Sequence, residues 1–177
     1  PAMKYAMKVR NDLKLKTVFN ILGPLCNPAS VSSQAMGTFD KSLTELQAKV
    51  LKNLGSKNVL TFCGDDGLDE LTTTGKTKLT QFTNGGKIES YEFDPTSFGL
   101  KRASINDLKG GKPDENAKII IDILRGAKGP KRDIVVLNAA AGIIVGGKAD
   151  DFDDALKIAK QSLDSGGAFK VLEGLRS

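Results

Sequence analysis

Apolar residues at Ala2, Ala6, Val9 and Leu13 recur at helical spacing, with Lys4, Lys8 and Asn11 opposite them. The pattern predicts an amphipathic helix over residues 1–13. Arg10 falls at the flank of the apolar stripe, beside Met3 and Met7, where an arginine either snorkels to water or meets an anion. Residues 17–28 are mostly apolar but are interrupted by Gly23-Pro24. That dipeptide predicts either a hinge, where backbone approaches a ligand closely, or a kink between two packed helices.

Residues 32–39 read as a weak strand, and Asp40 as a helix N-cap. The helix predicted over 41–54 carries Leu43, Leu46, Val50, Leu51 and Leu54 on one side and stops at Gly55. The run Val59-Leu60-Thr61-Phe62-Cys63 follows as a buried strand. Strand, helix and strand over this length predict a right-handed parallel crossover. Residues 78–82 and 87–93 flank Thr83-Asn84-Gly85-Gly86, a hairpin signal, and Asp94-Pro95 starts a turn.

Helical patterns then dominate. Ser104 to Leu108 reads as one capped turn. Pro113 opens a helix whose stripe is Ala117, Ile120, Ile121 and Leu124, closed by Gly126. Residues 132–145 are apolar almost throughout, which fits a buried strand or a buried helix equally. A clean stripe of Phe152, Ala155, Leu156, Ala159 and Leu163 predicts a helix over 151–163, and Ala168, Val171, Leu172 and Leu175 predict a last one. The fold class expected is α/β: a central, largely parallel sheet with a hairpin, flanked by helices, within one partial domain over 1–177.

The strand at 58–63 ends at Gly64 and runs into Asp65, Asp66, Asp69 and Glu70. In open α/β sheets ligands bind beyond the carboxyl ends of strands. Carboxylates at such an end can hold Mg2+ that bridges to substrate phosphates, or they can be a solvated acidic loop.

Composition narrows the chemistry. The 177 residues contain no histidine, which excludes a histidine general base, a Ser-His pair and histidine-ligated zinc within the chain. Two cysteines without a CxxC suit ordinary buried thiols. The net charge is +5, but 21 acidic residues are interspersed among 26 basic ones and aromatics make up only 6%, so no base-stacking nucleic-acid surface is evident. No membrane-length apolar run, secretory signal or glycine-rich phosphate loop occurs. Because position 1 is Pro and already reads as helix, the sequence is expected to be part of a longer protein.

Three stretches occur in order: PAMKYAMKVRNDLKLKTVFNILGPLCNP, GDDGLDELTTTG, and LKGGKPDENAKIIIDILRG with VVLNAA. Together they resemble the C-terminal half of anthranilate phosphoribosyltransferase, an enzyme of tryptophan biosynthesis, across essentially the whole chain. The resemblance implies a nucleoside phosphorylase/phosphoribosyltransferase type of catalytic domain, incomplete here. The phosphate loop and a small helical domain would lie upstream of Pro1, and the chain alone would be inactive. It further implies a cytoplasmic homodimer formed mainly through that helical domain, with anthranilate and phosphoribosyl pyrophosphate as substrates and Mg2+ as cofactor. Arg10 matches the arginine that contacts anthranilate. Gly23, with Pro24 beside it, matches a glycine lining the anthranilate channel, and Asp69 and Glu70 match the adjacent carboxylates that hold Mg2+. Asp65 and Asp66 match no ligand, and VVLNAA falls where the family has a helix. Lys16 and Cys26 stand where the family usually has arginine and threonine. No general acid or base is implied.

Two other readings compete. A pyrimidine nucleoside phosphorylase-like enzyme should lack the combined GPLxNP and GLDE stretches. A non-enzymatic nucleic-acid-binding relative of the fold is permitted by the +5 charge, but would have little use for Asp69, Glu70 and Arg10.

Overall fold

The computed structural model of the chain describes Asp12 and residues 19–176. The helix predicted over 1–13, and Arg10 with it, therefore lies outside the described residues, Asp12 excepted. The chain divides into two compact units, Pro1–Ser30 and Val31–Ser177.

In the first unit, helix α1 (Phe19–Leu25) runs through Gly23 and contains Pro24. The Cys26 N–H donates back to the Leu22 carbonyl at 2.9 Å. Proline cannot supply the next helical N–H, so the helix survives it by a single residue. No second helix follows, so Gly23-Pro24 marks a helix terminus rather than a kink between two helices. Asn27 then turns the chain, its side chain accepting from the Ala29 N–H at 3.0 Å. Cys26 is exposed, against the expectation of two buried thiols; Cys63 is buried, and both are free.

The second unit contains β1 (Ser33–Gly37), α2 (Leu43–Asn53), β2 (Asn58–Gly64), β3 (Thr77–Phe82) and β4 (Glu89–Phe93). A 3-10 turn (Pro95–Phe98), α3 (Ile105–Leu108), α4 (Pro113–Leu124), α5 (Pro130–Val145), α6 (Phe152–Asp164) and α7 (Gly167–Arg176) follow. The sheet order is β1-β2-β3-β4. β1 and β2 are parallel, as the crossover predicts, with Gly37 opposite Phe62. β2–β3 and β3–β4 are antiparallel. The expected α/β class is present, but the sheet among the described residues is not largely parallel as expected: only β1–β2 is, because the β3–β4 hairpin adds to β2 in the antiparallel sense.

The two faces of the sheet differ in chemistry. Leu60, Phe62, Leu79 and Phe93 face an apolar core with Leu137, Ala140, Ala141 and Ile144 of α5 and Phe152, Ala155 and Leu156 of α6. Phe93 stacks on Phe98 at 4.9 Å between ring centroids, and Phe152 closes the trio 4.6 Å from Phe93. The opposite face is mixed, with Thr61 and Thr80 set among the buried Val59, Cys63 and Phe82. Thr61 donates to the Thr44 carbonyl at 2.8 Å, Thr80 donates to the Thr44 hydroxyl at 3.1 Å, and the Thr80 and Ser90 hydroxyls lie 2.8 Å apart.

These hydroxyls turn α2. Its buried residues are Thr44, Gln47, Ala48 and Leu51, while Leu46 and Leu54 are 54% and 63% exposed. The predicted stripe is thus buried only in part, at Leu51, with Leu43 and Val50 half-buried: the buried side is rotated toward Thr44, Gln47 and Ala48, and Thr44 meets the sheet threonines, because hydroxyls taken out of water require partners. Asp40 accepts from the N–H and hydroxyl of Ser42, at 2.8 and 2.7 Å, so it caps the turn before the helix, and Ser42 holds the N-cap position itself.

The ambiguous run at 132–145 is helical. Its buried residues Val136, Leu137, Ala140, Ala141 and Ile144 lie on one helical face, and Pro130 starts it. In α4 the buried side is rotated from the predicted stripe: Ile123 is buried and Ile119 and Leu124 pack on the core, whereas Ala117 and Ile120 are exposed. Helix α6 buries all five predicted residues, and Asp151 caps it. Helix α7 forms, but Val171 and Leu175 are exposed and only Ala168 packs on the core, so the predicted stripe is mostly unburied. Among the described residues, no helix is long and apolar enough to cross a membrane.

Candidate functional site

β2 delivers the chain at Gly64 into a loop over 65–76, and a tight turn opens it. The Gly67 N–H donates to the Gly64 carbonyl at 3.0 Å and the Gly64 N–H to the Leu68 carbonyl at 2.9 Å. Gly67 sits at φ +82°, a conformation that glycine adopts without strain.

The four carboxylates of the loop divide into two pairs. Asp66, though exposed, turns back onto its own loop, accepting from the Leu68 N–H at 3.0 Å, from the Thr72 hydroxyl at 2.6 Å and from the Thr74 hydroxyl. Partial burial alone would raise its pKa; these bonds outweigh it and hold the carboxyl below the ordinary aspartate range. Asp65 pairs with Lys41, and this bond holds the Lys41 ammonium above the usual lysine range. Both are turn and anchor residues, as the motif match implies by leaving them out of the ligand set.

Asp69 and Glu70 are exposed, and among the described residues neither side chain has a hydrogen bond or ion pair. Desolvation, with the Asp69 charge beside it, pushes the Glu70 carboxyl above the ordinary glutamate range. Two adjacent, unpaired carboxylates favour a cation. Mg2+ binds oxygen and usually combines one or two carboxylates with waters and substrate phosphates, so the pair fits that ion. Among the described residues no group of three or more His, Cys, Asp or Glu side chains converges.

The backbone of the pair is held from both sides. Leu71, the next residue, is fully buried. Its N–H donates to Oδ1 of Asn138 at 2.9 Å, and Nδ2 of Asn138 donates to its carbonyl at 2.8 Å and to the Ile134 carbonyl at 3.0 Å. On the other side Gly37 ends β1, and a Cβ built there would land on the Asp69 carbonyl oxygen. The far end of the loop is tied by the Thr72 N–H to the Thr77 hydroxyl at 3.1 Å, and by Arg102, which donates to the Gly75 carbonyl and to Asp94 at 2.9 Å.

Of the residues singled out in the sequence, Asp69 and Glu70 thus share one fixed segment. Gly23 and Pro24 belong to the Pro1–Ser30 unit, where both are exposed and a Cβ on Gly23 would meet nothing within 4 Å. Arg10 lies outside the described residues. Gly37 and Asn138 were not predicted as site residues. Their signals were present: a glycine within a strand often marks close backbone approach, and Asn138 is the one polar residue between Ile134 and Val145.

The chain is similar to known proteins over most of its length. The glycosyl transferase family, a/b domain, matches residues 1–169. The anthranilate phosphoribosyltransferase of Methanobrevibacter smithii is 48% identical over 172 residues, covering 97% of this chain and 51% of that protein. The crystal structure of anthranilate phosphoribosyltransferase from Thermus thermophilus superposes with a TM-score of 0.86 at 38% identity, over 98% of this chain and 51% of that one. The Saccharomyces cerevisiae enzyme in complex with PRPP and Mg matches with a TM-score of 0.86 at 29% identity, over 97% and 49%. The chain spans about half the length of the curated relatives it matches.

Proposed function

The chain belongs to the glycosyl transferase family, a/b domain, and from that premise we propose that it forms the Mg2+-holding part of an anthranilate phosphoribosyltransferase. The whole protein would transfer the 5-phosphoribosyl group from phosphoribosyl pyrophosphate to anthranilate, a step of tryptophan biosynthesis, in the cytoplasm and as a homodimer. The observation that carries this reading is the Asp69–Glu70 pair: unpaired, adjacent and fixed beyond the end of β2, while Asp65 and Asp66 are consumed by the loop.

In the reaction the amine nitrogen of anthranilate forms a bond to C1 of the ribose. The bond from C1 to pyrophosphate breaks, and pyrophosphate departs with its electron pair. The amine is a neutral nucleophile and gives up its proton once the new bond forms, so no strong base is required. Asp69 and Glu70 would hold the metal. When bound, Mg2+ supplies charge that neutralises pyrophosphate as it leaves. Arg10 pairs with the anthranilate carboxylate, a charge-assisted contact, and Gly23 with Pro24 lines its path. The contribution of these residues is positioning and electrostatics rather than proton transfer.

The test is a Mg2+ titration of the longer protein with Asp69 and Glu70 changed to alanine. Turnover at limiting Mg2+ should fall sharply and recover in part at high Mg2+. Identical kinetics across the titration would refute the assignment.

A further inference from the structure

We propose that Asn138 is the positioning residue for the Asp69–Glu70 carboxylate pair, an inference that rests on the metal-holding role given to that pair above. Asn138 lies 67 residues along the chain from Leu71, yet its amide satisfies both main-chain groups of that residue, at 2.9 and 2.8 Å. A side-chain amide that accepts from an N–H and donates to the carbonyl of the same residue reproduces the pairing of a neighbouring strand. It fixes the residue along its axis and about it. Asn138 is itself fixed, since Nδ2 also donates to the Ile134 carbonyl one turn earlier in α5.

Leu71 is buried in the main core, while Glu70 and Asp69 immediately before it are exposed. The chain therefore passes from core to solvent within one peptide bond, at the point where Asn138 grips it. Gly37 closes the opposite side, because the Asp69 carbonyl occupies the space that any side chain at position 37 would need. With Leu71 anchored and Asp69 seated on bare backbone, the main chain that carries both carboxylates is held at each end. No polar side chain other than Asn138 contacts Leu71 through a hydrogen bond among the described residues. Groups that orient metal ligands without touching the ion typically alter affinity by about 10- to 100-fold when removed.

The 15N-labelled chain with Mn2+ alone as the probe tests this by selective broadening of the amide signals of residues 69–71. Asn138→Ala should need about tenfold more Mn2+ for half-maximal broadening than the native chain, and should lose the slow hydrogen exchange of the Leu71 amide. Asn138→Gln, which keeps the amide but displaces it by one methylene, should fall between the two and serves where the alanine variant fails to fold. Leu163→Ala in α6 is the control: it removes a buried side chain from another helix, lowering Tm without moving the Mn2+ midpoint. An Asn138 variant with lower Tm but an unchanged midpoint would overturn the proposal and leave the metal reading standing. No selective broadening in the native chain, and none in any variant, would overturn both.

Discussion

Asn138 and Leu71 are joined by two hydrogen bonds of opposite sense, 2.9 Å from the Leu71 N–H and 2.8 Å to its carbonyl. Leu71 is fully buried, so neither group has water as an alternative partner. Asn138→Ala should therefore cost about 1–3 kcal/mol of stability, the cost of leaving buried main-chain groups unsatisfied. Urea denaturation measures it, and a loss below about 0.5 kcal/mol would show that the clamp is not made in solution.

Two glycines should respond in opposite directions to alanine. Gly37→Ala forces a methyl onto the Asp69 carbonyl, so the loop must shift; stability should fall by about 1–3 kcal/mol and turnover of the longer protein should fall with it. Gly142 lies within α5 with nothing within 4 Å of a built Cβ. Gly142→Ala should be neutral or stabilise by up to about 1 kcal/mol, since glycine is a poor helix former. Equal effects at the two sites would contradict the close approach of Asp69 to β1.

Asp66 makes stability sensitive to acid. Its folded pKa lies below its unfolded value of about 3.9, because the effect of burial is outweighed by the Thr72 and Thr74 hydroxyls and the Leu68 N–H. A group depressed on folding contributes stability that is complete above its unfolded pKa and is lost as pH falls through the folded one. Denaturation curves should thus be insensitive to Asp66 above about pH 5 and weaken below about pH 4. Thr74→Ala removes one donor, so the gap between the folded and unfolded values should narrow and the acid-induced loss become smaller in extent. An unchanged acid profile in Thr74→Ala would refute this role for the hydroxyl.

Arg10→Ala in the longer protein should raise the KM for anthranilate more than that for phosphoribosyl pyrophosphate. Steady-state kinetics with each substrate varied in turn decides it, and the reverse ranking would assign Arg10 to the phosphate side.

Local signals in the sequence carried far, and tertiary ones did not. The α6 stripe is buried as its period predicts, and the Ser104 turn is capped by reciprocal bonds with Asp107, because both depend on residues three or four apart. The leucines of α2 misled in part for a tertiary reason: the sheet face beneath the helix sets Thr61 and Thr80 among its apolar residues, and they draw Thr44 rather than Leu46 or Leu54 inward. The carboxylates of the site were visible as residue types in a strand-end loop. What separates Asp69 and Glu70 from Asp65 and Asp66 is which of them the fold neutralises, and Lys41, Thr72 and Thr74 do that only once the loop has closed. Asn138 and Gly37 belong to the same class, since each acts on a segment distant in sequence.

The hydroxyl ladder of Thr44, Thr61, Thr80 and Ser90 makes the seating of α2 directional. A greasy interface tolerates sliding, since one methyl replaces another at small cost. Here a slip of one residue would move the helix by about 1.5 Å and turn it by about 100°, carrying Thr44 away from both threonines and leaving Thr61 only the Thr80 carbonyl and Thr80 only Ser90 as partners. The ladder therefore acts as a keyway, favouring the one position in which Thr44 meets both threonines. Because α2 connects β1 to β2, that seating holds the helix across the same parallel pair whose end, Gly37, meets Asp69.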